Sequence, residues 1–317
     1  MVEADKGPPV LFLMGPTATG KTQLAVKLKQ SLPVDIISVD SAMVYKGMDI
    51  GTAKPPAEIL AIAPHRLIDI CDPAEVYSAA HFCHDARKEI NAIRSHGRIP
   101  LLVGGTGLYF RALEYGLSEF PPANQDTRQR LEDQAQILGW EKMHARLAEV
   151  DPVAAARIHP NDPQRIQRAL EVYELTGTAL TEHFSSRHTS GLSCRIIKII
   201  SGPADRDILH IRISQRFYEM LDNGLIEEVE RLQQRGDLHA GLPAMRMVGY
   251  RQVWKYLAGQ LDYQSMIDHA IVATRQLAKR QLTWLRREAK AKWFDNLQPD
   301  QIDNILNYLE KNGKKTY

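Results

Sequence analysis

Gly15-Pro16-Thr17-Ala18-Thr19-Gly20-Lys21-Thr22 spells G-x-x-x-x-G-K-T directly after the apolar run Val10-Leu11-Phe12-Leu13-Met14. A buried strand that enters a glycine-bearing turn and leaves as a helix forms a phosphate cradle, the P-loop. Gly15 and Gly20 are expected to allow backbone dihedrals that turn successive N–H groups toward an oxyanion. The helix opening near Lys21 aims its positive end at the same spot, and Leu24, Val26 and Leu28 supply its apolar positions. Lys21 adds a point charge, and Thr22 a hydroxyl able to ligate Mg²⁺. The commonest occupant of such a cradle is a nucleotide such as ATP. The motif alone fixes only that phosphate is bound.

Outward from the cradle, the chain alternates strand and helix. Val34 to Val39 is a second apolar run ending at Asp40-Ser41, so the opening is a βαβ unit with a right-handed crossover. A long irregular loop, residues 45–57, follows, and loops of that length are functional or disordered. His65 to Ile70 reads as a third strand. Residues 78–95 read as a helix with Phe82, Ala86, Ile90 and Ile93 on one face. Ile99 to Val103 is a further strand, running into Gly104-Gly105-Thr106-Gly107. The expected fold is α/β, a P-loop-type doubly wound, mostly parallel sheet, with ligands at the carboxyl ends of its strands.

From Pro121-Pro122 to about Arg187 no strand-like run occurs. Residues 121–193 are therefore expected to be a helical insertion into a core formed by 1–120 and 194–317. Ile196 to Ile200 returns to the sheet. A long helix is expected over 207–234, weakened at Asn223-Gly224, and another over 263–287. Trp293-Phe294 suggests an edge strand, and the lysine-rich end from Lys311 a frayed terminus.

Bulk composition excludes several classes. The 317 residues are 44% hydrophobic and 25% charged, with a net charge of +2, which is ordinary globular composition. No apolar run is long enough to cross a bilayer, and Glu3 and Asp5 interrupt any leader-like start, so a cytoplasmic protein is expected. Cys71, Cys83 and Cys194 are scattered and odd in number, fitting buried thiols better than disulfides or zinc.

Three groups of residues could carry chemistry. A P-loop hydrolase needs a strand-end aspartate to help hold Mg²⁺. Residues 99–103 end in glycines, whereas 36–39 end in Asp40, directly after the first helix. This early carboxylate favours group transfer over hydrolysis, although strand-end aspartates also serve as plain turn caps. The 104–107 loop carries almost no side chains, for close approach of a ligand or for tight helix packing; Thr106 is its polar group. Arg212 and Arg216 share a helix face and could neutralise a leaving phosphate.

Basic residues recur later. Arg275, Lys279 and Arg286 fall within about 40° of one another on a helix at 100° per residue. Arg246 and Arg251 flank Gly249-Tyr250, and the insertion adds Arg165 and Arg168. A solvated basic face is one reading; RNA or another single-stranded nucleic acid is the other.

Together these segments resemble the tRNA dimethylallyltransferase family, also called tRNA isopentenyltransferases, bacterial type. The resemblance runs through residues 13–22, 37–41, 44–55, 65–69, 102–109, 161–166, 248–252 and 274–281. It implies that Gly15, Pro16, Thr17, Ala18, Thr19, Gly20, Lys21 and Thr22 cradle the diphosphate of dimethylallyl diphosphate. The prenyl group would pass to the exocyclic N6 of an adenine beside the anticodon of tRNA, with Mg²⁺ on Thr22. Asp40 would be the general base, with Thr106 and Arg216 as further catalytic residues. Contacts to tRNA would come from Asp40, Ser41, Ala42, Met43, Thr106 and Arg128. Gln164, Arg165, Ile166, Gln167 and Arg168 would add others, as would Arg246, Met247, Val248, Gly249, Tyr250 and Arg251. The last group would be Arg275 and Lys279, Arg280, Gln281, Leu282, Thr283, Trp284, Leu285 and Arg286. A monomer is expected. The rival readings are an adenylate isopentenyltransferase, which needs no RNA surface, and an RNA-binding P-loop NTPase, which needs a later carboxylate.

Overall fold

Residues 7–117, 120–186, 191–203, 205–288 and 290–313 are described in the computed structural model. In chain order the elements are β1 (Val10–Met14), α1 (Lys21–Ser31), β2 (Val34–Val39), α2 (Ala57–Ile62), β3 (His65–Arg66), α3 (Ala79–Ser95), β4 (Ile99–Gly104) and α4 (Gly107–Tyr115). Five helices follow: α5 (Gln125–Leu138), α6 (Trp140–Val150), α7 (Pro152–Ala155), α8 (Pro163–Thr176) and α9 (Leu180–Ser186). The chain then forms β5 (Ile196–Gly202), α10 (Arg206–Asp222), α11 (Leu225–Gln234), α12 (Tyr250–Leu257), α13 (Tyr263–Leu285), β6 (Lys292–Asp295) and α14 (Gln301–Gly313). Two units result: Glu114–Leu192 is one, and the remaining chain is the other.

The larger unit contains a sheet of order β3-β2-β4-β1-β5-β6, parallel throughout. Parallel strands need both faces covered, which explains their unbroken apolar runs. Leu11 and Leu13 of β1 face a core with Leu24 and Leu28 of α1 and Ile305 and Leu309 of α14. Phe12, one residue out of phase, points the other way and meets Phe110 of α4 at 4.9 Å. Because β1 leads to β2 across β4, the chain leaves β1 and β4 in opposite directions. Their carboxyl ends therefore open a crevice at a topological switch point.

The structure alters several sequence expectations. The strand read over 65–70 is only two residues long. Leu67 and Asp69 have φ of 64° and 54°, which ends extended structure there. The helix read over 207–234 is two helices, α10 and α11, split where Gly224 adopts φ 92°. Lys311 lies in the last turn of α14, and the rest of the lysine-rich end lies outside the described residues. The edge strand at Trp293-Phe294 forms as β6, beside β5.

The loop at 45–57 is pinned. The buried Glu228 carboxylate on α11 accepts the N–H groups of Asp49 (2.9 Å), Ile50 (2.8 Å) and Gly51 (3.2 Å). It also accepts the Tyr250 hydroxyl at 2.5 Å. A Cβ on Gly51 would lie 2.5 Å from the Tyr250 ring, so glycine permits that approach. Burial, and then the facing Glu228 charge, push the Tyr250 hydroxyl well above its usual pKa, keeping it a donor. Glu228→Ala strands three backbone donors and a hydroxyl. It is expected to cost about 3 kcal/mol or more in urea denaturation, against about 1–2 kcal/mol for Tyr250→Phe. A Glu228→Ala loss below about 1 kcal/mol would show that water can replace the carboxylate.

Candidate functional site

A cavity of about 780 Å³ lies in the larger unit at the carboxyl ends of the strands. The P-loop from Thr17 to Thr22 forms one wall, with Asp40, Gly104-Gly105, Arg212, Arg216, Gln281 and Asn296 around it.

The P-loop differs in detail from its sequence reading. Gly15 has no positive φ; its constraint is steric, since a Cβ there would sit 2.2 Å from the Ser201 carbonyl of β5. The left-handed positions are Ala18 (φ 62°) and Gly20 (φ 75°). The loop is braced internally and from outside. Thr19 Oγ1 and Lys21 Nζ donate to the Pro16 carbonyl at 2.9 and 2.6 Å, and Asn296 Nδ2 donates to the Thr19 carbonyl at 2.8 Å.

Gln281 of α13 ties this loop to the second glycine loop. Its Oε1 accepts the Thr17 N–H at 2.9 Å, and its Nε2 donates to the Gly105 carbonyl at 3.0 Å. The 104–107 glycines are needed because the protein itself comes close. A Cβ would meet the Val39 carbonyl at Gly104 (2.0 Å), Gln281 at Gly105 (2.4 Å) and the Trp284 ring at Gly107 (2.4 Å). Sequence reasoning missed this bracing role of Gln281, since a lone helix glutamine carries no signal of it.

Asp40 is both a cap and a cavity residue. Its Oδ1 accepts the Ala42 N–H at 2.8 Å, closing an Asx turn. Its Oδ2 has no hydrogen-bond partner among the described residues and belongs to a side chain lining the cavity. Thr106 lies against the same turn, its Oγ1 accepting the Ser41 N–H at 3.2 Å. Met43 also lines the cavity. β4, which pairs directly with β1, ends in glycines, so Asp40, just after β2, is the strand-end carboxylate lining the cavity.

Two cations face it. Arg216 Nη1 donates to Thr17 Oγ1 at 3.3 Å, while Arg212 lines the cavity one turn away. Burial, and then the neighbouring Arg216 charge, lower the Lys21 pKa to about 7 against the opposing pull of Asp40. Burial also lowers Arg216, against the pull of Asp40. Lys21, Lys27, Arg212 and Arg216 outnumber the Asp40 and Glu219 carboxylates lining the cavity, leaving positive potential that an anion would satisfy.

Thr22 is half-buried and lines this cavity. It is a hard oxygen donor beside the P-loop N–H groups. Mg²⁺ takes one or two protein oxygens, with water and phosphate oxygens completing its shell, so Thr22 fits the ion.

The remaining basic residues divide. Arg246, Arg251, Lys279, Arg280 and Arg286 are exposed and make no ion pair among the described residues. Thr283 is also exposed, and Met247 and Val248 are half-buried. Arg275 instead donates through Nη2 to Ser214 Oγ at 3.1 Å and is half-buried. Tyr250 and Leu285 have no exposed surface and Leu282 is buried, so these are packing residues rather than RNA contacts. Gly249 (φ 91°) is likewise buried and starts α12.

Within the insertion unit, Ile166 has no exposed surface and belongs to the core with Leu131, Leu147 and Leu170. Gln164 and Arg165 are exposed, and Gln167 Nε2 donates to the Arg128 carbonyl at 3.0 Å. Arg128 and Arg168 both grip the fully buried Glu171, at 2.9 and 2.6 Å. Burial opposes ionisation of Glu171, but its arginine hydrogen bonds hold the pKa below the usual carboxylate range. This buried anchor was not foreseen either.

The family described as IPP transferase matches residues 43–288, and that described as isopentenyl transferase matches residues 8–67. The chain is 61% identical over 279 residues to a tRNA dimethylallyltransferase of Thioalkalivibrio sulfidiphilus, covering 88% of this chain and 87% of that one. It is similar to the solved tRNA isopentenylpyrophosphate transferase of Bacillus halodurans, with 38% identity, a TM-score of 0.71 and 97% of each chain covered. A eukaryotic dimethylallyltransferase acting on tRNA is similar at 26% identity and a TM-score of 0.77, over 96% of this chain and 79% of that one. The chain belongs to the IPP transferase family.

The Lys21 value yields a signed prediction. In the free protein the ammonium is formed below pH 7 and neutral above it, whereas a bound diphosphate favours the charged form. Titrating inorganic diphosphate near pH 8 in buffers of different ionisation enthalpy should reveal proton uptake. Affinity should fall as pH rises past about 7. Lys21→Met should remove both effects; if proton uptake persists, another group titrates.

Proposed function

We propose that this enzyme transfers a dimethylallyl group from dimethylallyl diphosphate to the exocyclic N6 of an adenine adjacent to the anticodon of a tRNA, releasing diphosphate. The observation that carries the reading is the convergence of Lys21, Arg216 and Asp40 on one cavity whose P-loop neighbour strand ends without a carboxylate. That set suits an anionic leaving group facing a proton acceptor, and it lacks the strand-end aspartate of a phosphate hydrolase.

The chemistry follows from the residues. The bond between the allylic carbon and diphosphate oxygen breaks with both electrons leaving on the diphosphate. P-loop N–H groups, Lys21 and Arg216 stabilise that developing charge. Thr22 would hold Mg²⁺, which supplies further neutralisation of the diphosphate. The adenine amine is a weak nucleophile, because its lone pair is delocalised into the ring. As N6 bonds to carbon it becomes acidic, and the free Oδ2 of Asp40 accepts its proton. The Asx turn holds the carboxylate in place for this step. An adenine inside a stacked loop cannot enter a cavity, so it must be unstacked first.

RNA contact is assigned to Asp40 and Met43 at the cavity, to Ser41, Ala42 and Thr106 in the turn beside it, to the exposed Arg246, Arg251, Lys279, Arg280 and Arg286, and to Gln164 and Arg165 of the helical insertion. A free nucleotide as acceptor would leave this basic surface without a purpose. The printed names of the relatives likewise specify tRNA.

Asp40→Ala should lower kcat about 10²–10⁴-fold while tRNA affinity stays within about threefold. Unchanged turnover would remove Asp40 from the base role. Incubation with labelled dimethylallyl diphosphate and, separately, tRNA, AMP and ATP should label tRNA only. Label in AMP or ATP would move the acceptor to the free nucleotide.

A further inference from the structure

A second hollow, of about 280 Å³, lies between α10 and α13 in the larger unit. Its floor is apolar, built from Leu209, Ala278 and Leu282, and Arg275, Lys279 and Arg286 stand around it. None of the residues lining it carries a carboxylate. At 100° per residue these three cations lie about 120–160° around α13 from Gln281. The hollow is therefore on the far side of the helix from the cavity that Gln281 helps to close.

We infer that this hollow receives one unstacked base of the RNA loop, from a nucleotide other than the acceptor adenine. The inference rests on the proposed reading of α13 as an RNA-binding face. Three observations favour a base. The volume is right for one planar ring system and far too small for a packed protein segment. The apolar floor beside Arg206, Arg275, Lys279 and Arg286, with no carboxylate in the lining, matches a ring with an attached phosphate. Gln276 and His210 lie at its lining with side-chain donors and acceptors that meet no partner among the described residues, as a base edge requires. The buried Nε of Arg275 also lacks a hydrogen-bond partner, although Nη2 is fixed on Ser214.

Chemistry supplies a reason for such a site. Drawing the acceptor adenine out of the loop costs stacking on both of its sides. Holding a second base on the opposite face of α13 offsets that loss and fixes the strand across the helix. The acceptor cannot be this occupant, since its N6 must reach Asp40 in the other cavity.

The test measures binding of anticodon stem-loop RNAs, each with one loop base removed, to the full chain. For the native protein, one position besides the acceptor should weaken binding about tenfold or more. Gln276→Trp, which fills the hollow from its lining, should bind the intact RNA with that same reduced affinity and become indifferent to that position alone. Val272→Trp, on a half-exposed residue at the same hollow, provides a second filling variant, and thermal melting reports whether each is folded. If both folded variants bind intact RNA as the native protein does, or keep the full pattern of base sensitivity, the base site is overturned. Lys279→Glu separates the two claims: it should weaken RNA binding whether or not the hollow takes a base. Unaltered affinity and salt dependence in that variant would overturn the RNA face and the base site together.

Discussion

One carboxamide connects the two halves of the catalytic wall. Gln281 accepts from the P-loop at Thr17 and donates to the 104–107 loop at Gly105. The loops it joins follow β1 and β4, the strands on either side of the topological switch point. A helix lying over that crevice must come close to both loops. The glycines at 104, 105 and 107 are what allow α13 and the β2 backbone to do so. The phosphate cradle is thus set by long-range packing as much as by its own motif. The same helix presents Lys279, Arg280 and Arg286 to solvent, so one rigid element serves the donor on one face and is assigned the acceptor RNA on the other.

Buried charge is used in two ways. Glu171 and Glu228 are carboxylates without exposed surface to speak of, and each is fully engaged by donors from segments that would otherwise be loose. Such groups rank as organisers: removing one partner strands the rest. Lys21 and Arg216 are the opposite case. They are half-buried in a cavity whose cations outnumber Asp40 and Glu219, and burial depresses both. A site built this way binds its anion more strongly than a solvated one and holds its dipoles ready before the leaving group departs.

Much of this was legible in the sequence. The strand and P-loop at 10–22, the helix over 79–95 and the strand at 99–104 follow from apolar periodicity and local turn chemistry alone. Asp40 was legible as a strand-end carboxylate, and its structure supports both readings of it: a turn cap through Oδ1 and an available oxygen in Oδ2. The short β3 was not legible, because a hydrophobic run cannot reveal that Leu67 and Asp69 take left-handed dihedrals. Nor were the burial of Tyr250, Ile166 and Leu285, or the anchors Glu171, Glu228 and Gln281. Each depends on partners far away in sequence, and polar side chains read locally as solvent-facing.

The central claim is that the P-loop holds a diphosphate leaving group opposite the base that acts on the acceptor. Inhibition by inorganic diphosphate tests it most directly, measured in the native protein, Lys21→Ala and Asp40→Ala. The expected result is competition against dimethylallyl diphosphate, with inhibition weakened at least about tenfold by Lys21→Ala and left intact by Asp40→Ala. Inhibition that survives Lys21→Ala unchanged, or that competes with tRNA instead of the prenyl donor, would contradict it.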